Sequence, residues 1–290
     1  FVNSLLEDTG RQCIWIGTEG YLFQYFPSTG QMKQTEAFHN NSIKSLALDG
    51  NGYLLAGTDN GLYVYHNDVT PLQHIIHDSR NIQSLTNNII WNIFADQEHN
   101  IWLGTDYGIS LSRYNSALQF IPISQITGTG DGNQFYSLFR DSKGFYWFGG
   151  TNGLIRFTDP AGDKHNAIWY RMGDKTYPLS HNRIRHIYED KEQQLWIATD
   201  GSINRYDYAT RQFVHYNIVD STGTYNTNWT YYMFEDNAGH LWISTCLGGI
   251  FVVDKHRLMQ SASGQYVAEQ NYSVHNGLSG MFINQIIPDN

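Results

Sequence analysis

The sequence predicts an all-β fold, a β-propeller built from four-stranded antiparallel blades. Three observations lead to this prediction: a repeat that runs along the whole chain, a high content of aromatic residues and glycine, and no sustained helical period. The 290 residues include 20 Tyr, 15 Phe, 8 Trp and 27 Gly, whereas only 16% of them are charged. Aromatic side chains suit a half-buried pleated surface, and glycine suits the tight turns between short strands.

Each repeat is marked by an aspartate at the end of an apolar segment and by a tryptophan-centred segment just after it. The tryptophan, or Leu55 in the second repeat, follows the aspartate by six positions, or by seven in the first repeat. Small residues and a glycine follow shortly after it, as in "WLGTDYG" and "WFGGTNG". The aspartates are Asp8, Asp49, Asp96, Asp141, Asp190, Asp236 and Asp289, and the residues at the second position are Trp15, Leu55, Trp102, Trp147, Trp196 and Trp242.

Each repeat is predicted to form four short strands. Repeats of about 40–45 residues with four strands each are typical of propeller blades. A lone blade cannot cover both of its faces, so neighbouring blades are expected to stack. We expect one propeller domain over residues 1–290. The expected ring has seven blades, of which this chain holds six full blades and one opening strand. The expected blades are 1–39, 40–86, 87–132, 133–181, 182–227 and 228–275, and residues 281–290 are expected to start a further blade.

The unit "D-x-x-G-x-L-W-I-G-T-x-x-G-L-x-x-Y" resembles the two-component regulator propeller repeat. The segments "NIWLGTDYGISLSRY", "YWFGGTNGLIRF" and "QLWIATDGSINRYD" are close to that consensus, and the resemblance covers nearly the whole chain. It implies the periplasmic sensor region of a hybrid two-component system of the Bacteroidetes type. In that family, two seven-bladed propellers usually precede a β-sandwich, a membrane helix, a histidine kinase and a response regulator.

This resemblance further implies a non-catalytic sensor that detects oligosaccharides and signals to glycan-utilisation genes. The implied partners are an oligosaccharide ligand, an adjacent propeller and β-sandwich of the same chain, and a second copy in a homodimer. A net charge of −9 and a pI near 5.7 argue against nucleic-acid binding, and the membrane is expected only through the parent chain. Cys13 and Cys246 lack metal-ligand spacing, so we expect neither a metal nor a cofactor.

Acidic residues and a histidine cluster around Trp102 in "ADQEHNIWLGTDYG" (95–108), which raises the question of a catalytic or metal site. Asp96 and Asp106 recur in other repeats, whereas Glu98 and His99 occupy variable turn positions, so turn roles are predicted for all four. A propeller glycosidase or lyase is the enzymatic alternative. A glycosidase would need two carboxylates about 5–9.5 Å apart.

The repeats differ most at the position five residues before the aspartate, which we call the variable row. Its members are Asn3, Lys44, Trp91, Tyr136, Arg185, Tyr231 and Asn284, with no Asp or Glu among them. Aromatic faces stack on sugars, and guanidinium groups bind carboxylate or sulfate, so the row and its flanks predict a glycan-binding mouth. Filling of a wet channel, contact with an adjacent propeller and a pure interaction scaffold stay open as alternatives. The candidate ligand-binding residues are Lys44, Trp91, Tyr136, His181, Arg183, Arg185, His186, Asn228, Trp229 and Tyr231.

Overall fold

The computed structural model describes residues 1–34, 41–66, 70–114, 121–122, 133–158, 167–176, 178–261 and 265–288. Within these ranges the secondary structure is β-strand except for one short α-helix, α1 (Lys255–Gln260), and one 3-10 turn (Val274–Asn276). The chain forms two compact units: residues 1–138 with 158–167, and residues 139–157 with 168–290. In the described part of the chain, no helix is long and apolar enough to cross a bilayer.

The first unit contains three complete four-stranded sheets, in which strands adjacent in sequence pair in antiparallel fashion. The first sheet is β1 (Val2–Asp8), β2 (Cys13–Thr18), β3 (Leu22–Phe26) and β4 (Gln31–Gln34). The second is β5 (Ile43–Leu48), β6 (Leu54–Thr58), β7 (Gly61–Tyr65) and β8 (Gln73–Ile75). The third is β9 (Ile90–Ala95), β10 (Ile101–Thr105), β11 (Gly108–Ser112) and β12 (Ile121–Pro122).

Strand β13 (Phe135–Arg140) runs across the division between the units and is the first strand of the fourth sheet. That sheet continues with β14 (Tyr146–Gly150), β15 (Gly153–Phe157) and β16 (Ile168–Tyr170). The fifth sheet is β17 (Ile184–Glu189), β18 (Leu195–Thr199), β19 (Ser202–Asp207) and β20 (Gln212–Val219). The sixth is β21 (Thr230–Glu235), β22 (His240–Thr245), β23 (Ile250–Asp254) and β25 (Gln270–Tyr272).

Six blades of the predicted four-stranded antiparallel kind are therefore confirmed, with one addition. Strand β24 (Gln265–Val267) lies between β23 and β25 in sequence but pairs in parallel with β20, giving the fifth sheet a fifth strand. The seventh blade stays a prediction, because the described residues 281–288 contain no strand. Asp289 lies outside the described residues.

The repeated aspartate closes the turn after the first strand and also holds the tryptophan of the second strand. Asp96 shows the pattern: one carboxylate oxygen accepts the Asn100 amide at 2.8 Å, and the other accepts the Trp102 indole N–H at 2.8 Å. His99 takes a positive φ of 62° where three other repeats have glycine, so it is a turn residue. The same aspartate–indole bond links Asp8 to Trp15, Asp141 to Trp147, Asp190 to Trp196 and Asp236 to Trp242.

The glycine two residues after the tryptophan lets the first strand of the next blade approach closely. A Cβ on Gly149 would lie 2.4 Å from Ile184 Cγ2, well inside any real contact between carbon atoms. Equivalent approaches occur in the first unit at Gly17 to Ile43, Gly57 to Ile90 and Gly104 to Phe135. The small residue of the repeat is therefore a packing requirement between blades, since protein interiors are close-packed.

Candidate ligand-binding site

In five of the six blades, the variable row lies where the first strand leaves its regular ladder. In β17, Ile184 pairs with Thr199 and His186 pairs with Ala198, so the intervening Arg185 has no partner in β18. Such a β-bulge redirects a side chain and is common beside functional sites. The same register shift is found at Asn3, Lys44, Trp91 and Tyr231.

In the first unit, row residues of successive blades contact one another. The Lys44 ammonium lies 2.9 Å from Asp59 Oδ1 and 4.2 Å from the centre of the Trp91 ring. The Trp91 ring meets the Tyr136 ring edge to face, with 5.2 Å between centroids. A cation above an aromatic face and an edge-to-face aromatic pair are both attractive arrangements. The row here is an ordered line of side chains.

Asp106 anchors this line from the turn between β10 and β11. It accepts the Trp91 indole N–H at 3.0 Å and the Gln134 side-chain amide at 2.6 Å. Gln134 in turn accepts the Tyr136 hydroxyl at 2.5 Å. The orientation of both aromatic rings is thus fixed by one carboxylate.

In the second unit, Arg185 is held between a carboxylate and an aromatic ring. Its Nε donates to Asp200 Oδ1 at 2.8 Å, and its guanidinium carbon lies 4.7 Å from the centre of the Tyr231 ring. Tyr231 meets Phe282 edge to face at 5.2 Å. The side chain of Asp200 is only 8% exposed, so this ion pair is well shielded from water.

Arg183 and Trp229 flank the same aspartate but remain much more accessible. The Arg183 guanidinium is 3.7 Å from Asp200 Oδ2, and its side chain is 44% exposed. Trp229 is 46% exposed and adopts a φ of 55°, a conformation unfavourable for a bulky residue. Its N–H donates to the Asp200 carbonyl, and its own carbonyl accepts the Cys246 N–H. These two backbone bonds hold the indole at the surface.

The two candidate histidines have local partners that differ from those expected of ligand-binding cations. The His186 ring stacks on Tyr232 at 4.0 Å, and its Nδ1 accepts the Met233 N–H. Burial lowers the pKa of His186 to about 3, so its ring is neutral at physiological pH. His181 Nδ1 accepts the Arg183 N–H, which is a turn contact.

The asparagine candidate, Asn228, lies in the loop before β21. The exposed Asn228 donates its N–H to the Asn226 side chain. The corresponding Asn88 and Asn182 accept the N–H of Gly61 and Gly153 at 2.7 Å through their carbonyls.

Sequence reasoning missed three carboxylates that contact the row: Asp59, Asp106 and Asp200. We had assigned Asp106 and its counterparts to turns alone, and the row itself contains no acid. The missed signal is topological. An antiparallel second strand runs back beside the first, so the turn that follows it lies level with the start of the first strand.

A separate cleft of about 390 Å³ lies in the first unit, at the opposite end of the strands from the row. Tyr53, His99 and Tyr114 line it, together with Leu55 and Leu62, and no row residue contributes to its wall. Among the residues that the structure describes, no group of three or more His, Cys, Asp or Glu is placed to hold a metal ion.

Comparison with protein families gives three matches to the model described as "Two component regulator propeller", at residues 84–107, 129–152 and 178–201. The chain carries two-component regulator propeller repeats. Each match begins before a first strand and ends just after the second strand. It therefore includes a row residue, a repeated aspartate and the tryptophan-centred strand.

Relatives of this propeller chain include signalling proteins and their extracellular regions. It is 26% identical over 240 residues to histidine kinase P4 of Formosa agariphila, covering 74% of this chain and 16% of that protein. It is 94% identical to the extracellular domain of the putative hybrid two-component system BT4673 from B. thetaiotaomicron, with a TM-score of 0.57. That match covers all of this chain and 39% of the solved chain, so the propeller chain spans well under half of either relative.

Some propellers of similar fold are enzymes. A streptogramin B lyase structure is 15% identical, with a TM-score of 0.61, and the match covers 82% of this chain and 74% of the lyase. At that identity the likeness extends to the fold alone.

Proposed function

We propose that the chain is a non-catalytic part of the periplasmic sensor region of a hybrid two-component system, and that it detects an oligosaccharide at the variable row. The resemblance to extracellular domains of such systems supports the sensor role and the location. The parent protein would then be a histidine kinase that signals to glycan-utilisation genes. Within this proposal the partners are an adjacent propeller, a β-sandwich and a second copy of the chain.

The observation that carries the proposal is the bulge at the variable row. The position at which the repeats differ is also the position at which a side chain is redirected away from the ladder. Trp91, Tyr136 and Tyr231 supply aromatic faces there, and carboxylates hold the adjoining groups in place. Aromatic surface with a few fixed polar groups is what a ligand site requires. Fixed side chains also lose little entropy when a ligand binds.

A glycosidase or lyase is the second candidate, and Asp59 and Asp106 are the specific observation in its favour, since they bring carboxylates to the row. Their contacts favour the sensor. Asp59 is paired with Lys44, and Asp106 accepts two hydrogen bonds from Trp91 and Gln134. A catalytic carboxylate must be available to a substrate proton or to the anomeric carbon.

The test is calorimetric titration of the full-length protein with neutral and acidic oligosaccharides, followed by chromatography of each mixture. Saturable binding without cleavage supports the sensor. Trp91→Ala should then weaken binding by about tenfold, because loss of a stacked aromatic ring costs on the order of 1.4 kcal/mol. Cleavage of any oligosaccharide would establish the enzyme instead. Binding to none of them would favour an interaction scaffold.

A further inference from the structure

We propose that the second unit binds an acidic sugar residue, with Trp229 stacking on the ring and Arg183 pairing with its carboxylate or sulfate group. The inference rests on the proposed function and specifies the ligand class at one part of the row. It also assigns different roles to the two arginines: Arg183 contacts the ligand, whereas Arg185 is a positioning residue.

Local charge is the first argument. Two guanidinium groups, of Arg183 and Arg185, face the single carboxylate of Asp200. In the first unit, by contrast, Lys44 is matched by Asp59. The next blade has Cys246 where three other repeats have aspartate, so it adds no acid at the position that Asp200 occupies in the fifth blade. His186 is neutral and therefore adds no charge to this region. A local excess of positive charge in a chain of net charge −9 favours an anionic ligand.

The two arginines differ in their contacts with Asp200 and in their exposure to solvent. Arg185 directs Nε and one terminal nitrogen at the two oxygens of Asp200, at 2.8 and 3.4 Å, and its plane covers Tyr231. Its side chain is 17% exposed, against 44% for Arg183. The nearest Asp200 oxygen is 3.7 Å from Arg183, beyond ordinary hydrogen-bond length. Arg183 can therefore present its planar fork to a carboxylate or sulfate.

The backbone of Trp229 is the second, independent argument. Five other described non-glycine residues have positive φ: Gln12, His99, Gln193 and Arg211 lie in hairpin turns, and Ser202 is the first residue of β19, directly after such a turn. Trp229 instead lies in the loop that enters β21, next to the bulge at Tyr231. Strain of this kind collects at ligand sites, where the surrounding structure maintains it. Here it keeps a large aromatic face in solvent, which a sugar ring can cover.

Both groups are joined through Asp200, which sets their separation. The Asp200 N–H donates to the Arg183 carbonyl at 3.2 Å, and the Asp200 carbonyl accepts the Trp229 N–H at 3.1 Å. The guanidinium and the indole thus flank one short backbone segment. An aromatic platform beside a cationic fork is matched by a pyranose that carries an anionic substituent.

The experiment is calorimetric titration of the full-length protein with three disaccharides: galactobiose, digalacturonic acid and a chondroitin 6-sulfate disaccharide. Digalacturonic acid carries only carboxylates, whereas the chondroitin disaccharide carries a carboxylate and a sulfate ester, so tight binding of the chondroitin disaccharide alone would assign the sulfate. We expect an acidic probe to bind more tightly than galactobiose. Arg183→Gln and Trp229→Ala should each weaken it by about tenfold or more, since a charge-assisted contact or a stacked ring contributes at that level. Arg80→Gln removes the same charge from a side chain that is 89% exposed, and should leave the affinity unchanged.

Three outcomes would overturn the inference, and they are distinguishable from failure of the proposed function. Tighter binding of galactobiose than of both acidic probes would reject the acidic ligand but leave oligosaccharide detection standing. Acidic binding that is unaffected by Arg183→Gln would place the ligand elsewhere. Binding of none of the three while another oligosaccharide of the wider panel binds would reject the acidic ligand alone, whereas binding of no oligosaccharide at all would reject the proposed function as well. Circular dichroism of each variant separates loss of a contact from loss of the fold, and Arg183→Lys should retain part of the affinity, since it keeps the charge without the fork.

Discussion

Replacement of Lys255 by methionine should strongly destabilise the second unit. The Lys255 side chain is fully buried, and its ammonium lies 2.8 Å from Glu235 and 3.2 Å from Asp190. With an effective dielectric constant of about 20, each pair contributes about 5–6 kcal/mol before desolvation is subtracted. Removal of the ammonium leaves two carboxylates that are at most 5% exposed. We therefore expect the free energy of unfolding to fall by about 3–5 kcal/mol.

Urea denaturation followed by circular dichroism would measure this loss. Lys191→Met is the matched control, because that exposed ammonium donates only to surface oxygens of residues 236 and 237 and should cost less than about 1 kcal/mol. Adding Glu235→Gln to Lys255→Met should recover part of the loss. A loss below about 1 kcal/mol for Lys255→Met would refute the reasoning, because it would mean that Asp190 and Glu235 do not remain as uncompensated buried charges when the lysine is removed.

The pH dependence of the same cluster follows from the pKa of Lys255. Burial lowers this pKa, but the interaction with Glu235 and the charge of Asp190 outweigh burial and raise it above its ordinary value of 10.5. The contribution of Lys255 to stability is then fully present below the unfolded-state pKa and is lost as the pH rises through the folded-state pKa. Native protein and Lys255→Met should therefore converge in stability only above pH 10.5.

Three further predictions concern the blade and the row. Gly149→Ala should lower the free energy of unfolding by about 1–3 kcal/mol in urea denaturation, because its methyl group would overlap Ile184. Trp102→Phe should cost a similar 1–3 kcal/mol in the same assay, since the buried Asp96 loses its indole donor; a change within error would show that other donors suffice. The depressed pKa of His186, about 3 against 6.5, means that the unfolded chain alone binds this proton between those values. His186→Gln should therefore lose less stability than native protein on acidification from pH 6.5 to 3, and parallel losses would contradict the burial of this ring.

Periodicity made the blades predictable, because a ladder that recurs must place the same residue type at the same point. Asp96 and Trp102 could be assigned to a turn and a second strand from their counterparts alone. Lys255 could not be found in this way. It lies in α1, after the third strand of the last blade, and no repeat offers a counterpart for comparison. The parallel pairing of β24 was missed for the same reason, since its three residues belong to an insertion between two strands of one blade.

The row was predictable as a set of positions, but its contacts were not. Sequence variation picked out Lys44, Trp91 and Arg185 without showing which atoms they meet. Their carboxylate partners belong to a different turn of the same blade, 15 residues later in each case. Only the antiparallel return of the second strand brings the two together. The role of Asp106 as an anchor therefore required the register of β9 on β10.

The bulge explains how one repeat can carry both a fixed fold and a variable surface. A ladder residue must satisfy its neighbours on both strands, so substitution there is felt throughout the blade. Arg185 is skipped by the pairing of β17 with β18, and its side chain depends instead on Asp200 and Tyr231. Changing a bulge residue together with its turn partner therefore alters the surface without disturbing the ladder. Lys44→Arg, which gives the second blade the arginine–aspartate pair of the fifth, should accordingly preserve the free energy of unfolding to within about 0.5 kcal/mol, and a larger loss would show that the ladder depends on the bulge residue after all.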